Sequence, residues 1–112
     1  MKSLRNSVQL IGRLGKDPEI KTINQNKVAN MSLATTDSYK DKEGKKVEDT
    51  QWHNIVMWGA LAETAEKYFK KGMEICVEGR LVHRAYETPS GEKKYFTEVN
   101  VNDFLMFGKK GE

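Results

Sequence analysis

The run TQWHNIVMWG, residues 50–59, alternates with period two, as a β-strand does. Trp52, Asn54, Val56 and Trp58 fall on one side, and His53, Ile55 and Met57 on the other. Ile55 and Met57 are ordinary core residues. The opposite side carries both tryptophans of the chain with an amide between them. A small domain commonly turns its large aromatics inward. Two readings therefore stand level on this strand alone. Either the tryptophans form an outward, flat, apolar platform for stacking, or they are core and Ile55 and Met57 face a second buried layer.

Working outward, 112 residues make one domain with a real core. The hydrophobic fraction of 38% and the charged fraction of 31% fit a globular protein. No apolar run approaches a membrane span, and residues 1–7 lack the apolar block of a secretory signal, so the expectation is cytoplasmic. Cys76 is the one cysteine, which makes no internal disulfide and reads as a small packed side chain. His53 and His83 have no ligand-spaced acid or thiol beside them, so no metal and no cofactor is expected. The net charge of +3 permits a nucleic-acid partner without demanding one.

Residues 6–14, NSVQLIGRL, alternate as the first strand, with Gly12 marking a bend or bulge. After the turn GKDP and a short extended piece at 19–23, residues 28–36 read as the second strand. The charged segment Asp37–Asp49 reads as a long, mobile hairpin loop, with Tyr39 standing out in it beside Lys40 and Lys42. Residues 60–71 read as the one helix, with an apolar stripe of Leu61, Ala65, Tyr68 and Phe69. Gly72 stops it, and Lys70 and Lys71 complement its dipole. Residues 73–86 form the longest strand, with Ile75, Val77 and Leu81 inward and Arg80, Arg84 and Tyr86 outward. A hairpin at 88–94 leads to the last strand, 95–107, with Val99 and Val101 inward and Glu98, Asn100 and Asn102 outward.

Three strands, a helix and two strands, with long hairpins after the second and fourth, is the order of an all-β OB-fold. This is a five-stranded Greek-key β-barrel with its helix between strands 3 and 4. Such barrels bind oligonucleotides over strands two and three. The outward tryptophans would lie there, with Tyr39 and Tyr86 at the loop bases and cations interleaved. That context raises the stacking reading of Trp52 and Trp58 above the core reading.

Five phrases in this order, NSVQLIGRLGKDPE, VANMSLAT, TQWHNIVMWGALAE, YFKKGMEICVEGRL and YETPSGEKKYFTEV, resemble the bacterial single-stranded DNA-binding protein family. The resemblance runs from about Asn6 to Val101. It implies an OB-fold, a homotetramer, and non-sequence-specific coating of single-stranded DNA in replication, recombination and repair, without catalysis. By position it implies stacking rings at Tyr39, Trp52, Trp58 and Tyr86, and backbone-contacting cations at Lys42, Lys70, Lys71 and Arg84. Relatives often hold tryptophan at the first and last of these ring positions and phenylalanine at that of Trp58. The resemblance also implies a subunit contact at His53.

The sequence departs from the pattern at Ser7, Asn54, Ala60 and Val82, where relatives are often basic. Arg13 and Arg80 are cations elsewhere, and Arg13 joins the expected DNA-binding set. Phosphate contacts are therefore redistributed. Residues 1–107 read as the OB domain and 108–112 as a short polar stub. Relatives usually continue into a tail with an acidic tip that recruits genome-maintenance proteins; this sequence stops at Glu112, which puts that recruitment in doubt. The rival reading is a primosome-type OB accessory or a protein-interaction module. An enzyme is not expected. The sequence shows no nucleophile with a base, no paired carboxylates in an apolar setting and no phosphate-cradling glycine loop.

Overall fold

The computed structural model describes residues 4–107, so the stub at 108–112 lies outside the described residues. Period-two alternation becomes strand throughout: β1 (Val8–Leu14), β2 (Glu19–Ile23), β3 (Asn26–Lys40), β4 (Lys46–Trp58), β5 (Glu74–Glu87) and β6 (Lys93–Met106). The one helix among the described residues, α1 (Ala60–Tyr68), joins β4 to β5. The sheet order is β1-β5-β6-β4-β3-β2, and a further β1–β3 pairing closes five strands into a barrel with β2 hanging on β3. All neighbours are antiparallel except β4 and β6, which run parallel through Asn54↔Glu98 to Val56↔Asn100. This is the OB-fold that the element order implies. No described helix is long and apolar enough to cross a membrane.

The inward residues of each strand meet in one core. Leu14, Ala29, Met31, Leu33, Ile55, Met57, Ile75, Val77, Val99 and Val101 are buried together, with Ala62, Ala65 and Phe69 closing one end. Gly12 carries no bulge, since the β1–β5 register runs unbroken through it, and it marks a close approach. Here β1 leaves β5 to reach β3, and a Cβ on Gly12 would lie 2.2 Å from the carbonyl oxygen of Ala34. The closing seam is short, Arg13↔Ala34 and Leu14↔Leu33.

Four expectations need correction. Residues 37–49 are mostly strand: β3 and β4 stay paired to Lys40↔Lys46, leaving a turn of five residues, 41–45. The Asp41 carboxylate accepts from the amides of Glu43 and Lys45, and Gly44 has φ 83°, so the turn itself fixes the ribbon. The helix ends at Tyr68, not at 71. Its cap Phe69 is extended, and Lys70, Lys71 and Gly72 follow outside it, so Lys67 is the basic residue of the last turn. Tyr68 is exposed; the helix buries Ala62 and Ala65, and Phe69 beyond it meets Phe104 edge-on at 5.2 Å. Lastly, Glu98 points outward by register yet is buried, paired with the half-exposed Arg84.

Candidate nucleic-acid interface

Burial shows which side of β4 faces the core. Ile55 and Met57 are fully buried, whereas Trp52 is 62% exposed and Trp58 36% exposed. Trp52 stands in a row with Ala34 on β3 and Arg13 on β1. Its indole lies over Gly15, where a Cβ would come within 2.5 Å of Cζ3. Trp58 ends β4 opposite Val28, just before Gly59 (φ 62°) starts the helix. Val28 and Val56, on the same outward side as Trp58, are both buried, so this ring is half seated in an apolar bed. Between the tryptophans, the Asn54 amide donates to the carbonyl of Thr97 at 3.2 Å and ties β4 to β6.

Register extends the same face across the sheet. Asn54 opposes Glu98, which opposes Val82; Arg84 opposes Phe96, and Tyr86 opposes Lys94. Trp52, Trp58, Arg84 and Tyr86 therefore share one outer face, as expected from the sequence. Tyr86 is half exposed and stands edge-on to Phe96 with ring centroids 5.8 Å apart. The Arg84 guanidinium is not free: its Nε donates to Glu98 Oε2 at 2.9 Å. Sequence reading missed Phe96 and Lys94 in this set. The alternation of KKYFTEV places both on the side of Glu98, which was the available signal.

The other expected residues lie further out. Arg13 borders Trp52's row, but its Nη1 donates to the carbonyl of Gly72 at 3.0 Å. Tyr39, exposed and paired with Val47, leaves the ribbon on the side of Thr35 and Gln51, opposite by register to Trp52. Lys42 is exposed in the ribbon's turn. Lys70 and Lys71 are exposed after the helix, and the Lys71 amide donates to the Asp17 carboxylate at 2.8 Å. His53 lies on the inward side at the barrel rim, half buried, with Nε2 hydrogen-bonded to Thr35 Oγ1 at 2.9 Å. No group of acids, histidines and thiols able to hold a metal occurs among the described residues.

Residues 5–107 match the model of the single-strand binding protein family. The chain belongs to this family. It is 45% identical over 107 residues to "Single-stranded DNA-binding protein 1" of Chlorobaculum tepidum, an alignment covering 94% of this chain and 66% of that protein. It is 44% identical to the protein of the same name from Xylella fastidiosa, covering 94% of this chain and 79% of that one. To the "Single-stranded DNA-binding protein" of Neisseria meningitidis it is 42% identical, covering 96% and 62%. The chain thus spans about two thirds of the length of the first of these relatives. Among solved structures, a Plasmodium falciparum SSB complex with ssDNA superposes with a TM-score of 0.85 at 34% identity, covering 96% of this chain and 98% of that one.

Proposed function

We propose that this member of the single-strand binding protein family binds single-stranded DNA without sequence specificity and serves replication, recombination and repair by protecting it, without catalysis. The observation that carries the reading is the outer face of β4, β5 and β6. It exposes Trp52, Trp58 and Tyr86 among cations, on a barrel that superposes on an SSB complex with ssDNA. Bases stack on these rings, each worth about 1–3 kcal/mol; Tyr39, on the other side of the ribbon by register, would be met only by a strand that wraps round the ribbon. Arg84, Arg13, Lys42, Lys70 and Lys71 hold phosphates, so affinity falls with salt. The test is intrinsic tryptophan fluorescence during titration with oligo(dT) at low and high salt, with duplex DNA as control. Quenching by the single strand alone, weakened by salt, supports the reading. Tight binding without quenching would move the DNA off this face, and absence of binding would leave an OB-shaped interaction module.

The homotetramer belongs to the same proposal, and one observation favours self-association. Ile11, Cys76 and Leu105 form an outward row across β1, β5 and β6. Ile11 and Leu105, with Phe107 just beyond, are exposed. An apolar patch of this kind on a barrel face marks a protein contact. His53 is proposed as a second subunit contact. Leu105→Glu should lower the mass measured by light scattering while leaving the circular dichroism intact. An unchanged mass would remove this patch from the assembly. The protein is proposed to act in the cytoplasm on the nucleoid.

A further inference from the structure

Among the described residues, Glu98 is the one charged side chain that is buried, at 5% exposure. It sits in the middle of the outer face, opposite Asn54 on one side and Val82 on the other. A carboxylate here opposes the binding of a polyanion. A purely structural ion pair would be a weak reason for it, because an apolar pair of similar size commonly serves a sheet as well. The geometry of the pair gives a better reason. Glu98 Oε2 takes the Nε of Arg84, the one guanidinium nitrogen that is not at the tip. Glu98 is buried while the Arg84 side chain remains 47% exposed. Arg84 is flanked by Tyr86 along β5 and opposed by Phe96, whose ring meets that of Tyr86.

We infer that Glu98 is a positioning residue: it fixes the plane of the Arg84 guanidinium so that both Nη groups present a two-pronged fork to one phosphate of the bound strand, beside the Tyr86–Phe96 ring pair. A planar fork held by its Nε loses less freedom on taking a phosphate than a loose one. The Asn54 amide, bonded to the neighbouring Thr97 carbonyl, holds the backbone that carries Glu98. This inference rests on the single-strand binding reading above.

The test sets two effects of opposite sign against each other. Glu98→Gln removes a negative charge from the face, so simple electrostatics makes oligo(dT) binding tighter. Positioning makes it weaker, by about threefold to tenfold, and lowers the slope of log affinity against log salt by about 0.7, the share of one phosphate on a single strand. Arg84→Ala should lower the slope equally, and adding Glu98→Gln to it should cost nothing further. Arg84→Lys keeps the charge but offers no fork, and should also weaken binding. Fluorescence titration of the intact protein and these variants over a salt series reads all four. Tighter binding by Glu98→Gln with an unchanged or steeper slope overturns the inference, as does Arg84→Lys binding like the parent. Were Glu98→Gln not to fold, Arg84→Lys decides alone. Failure of the parent itself to bind oligo(dT) would instead refute the proposed function.

Discussion

Gly15→Ala probes the platform without touching a ring. Gly15 carries no positive φ, so its backbone accepts alanine. The added Cβ would lie 2.5 Å from Trp52 Cζ3 and 2.8 Å from Cη2, against ordinary contact from 3.4 Å, so the indole must withdraw by about 0.9 Å. With 62% of the residue in solvent, the ring has room to move. The stability change is therefore small, within about 1 kcal/mol, since alanine also stiffens the unfolded chain by about 0.4–1 kcal/mol. Binding should suffer more visibly. If the shift loses about 1 kcal/mol of the roughly 1–3 available to a stacked base, affinity for oligo(dT) falls about fivefold. Urea denaturation and a fluorescence titration measure the two quantities. The same substitution in a Trp52→Ala background should do almost nothing, because the ring it displaces is gone. An equal loss in both backgrounds would mean that the effect bypasses Trp52, and the platform argument for that ring would fail.

Three further outcomes follow from burial and charge. Trp58→Ala, which uncovers the bed of Val28 and Val56, should cost about 1–2 kcal/mol of stability as well as affinity, whereas Trp52→Ala should cost affinity with little stability; paired urea melts and titrations separate them. Leu33→Ala, at a fully buried site, should destabilise by about 2–5 kcal/mol in chemical denaturation. Lys27 donates to Glu66 at 2.7 Å, and that hydrogen bond, then the charge of Glu66, raises its pKa above 10.5. The group is raised in the folded state, so its contribution is present below the unfolded value and lost as pH rises through the folded one. Melting temperatures of the parent and of Glu66→Gln should therefore differ slightly below 10.5 and converge in stronger alkali.

Much of this architecture is legible in alternation alone, because one-sided burial gives period two a meaning. Ile55 and Met57 announce the core, and β1, β5 and the helix position follow from the same pattern. The tryptophans were ambiguous for a physical reason: an aromatic on a strand has the same period whether it faces core or solvent, and only the barrel around it decides. The ribbon from 37 to 49 hides from this logic. Both of its sides face solvent, so its charged residues carry no apolar alternation. Its pairing is held by the backbone ladder and the Asp41 turn. The local signal was Asp41 three residues before Gly44, with Tyr39 and Val47 each four residues from Glu43 at the centre of the turn. The burial of Glu98 was not legible, because alternation assigns a side but not what its partner strands cover. The link to Arg84 depends on the β5–β6 register.

That register contains an irregularity with a consequence for length variation. Glu78 pairs with Asp103 and Gly79 with Val101, so Asn102 is an extra residue that no β5 residue opposes. Val99 and Val101 face the core before it, and Phe104, packed on the core, faces inward after it. Removing Asn102 would leave valine, asparagine, valine, aspartate and phenylalanine in strict alternation, and every side chain would keep its side. Removing Asn100 would also take up the extra residue, but only by turning Val101 out to solvent and Asn102 into the core. Within one strand, a single-residue deletion should thus be tolerated at one asparagine and ruinous at another two positions away.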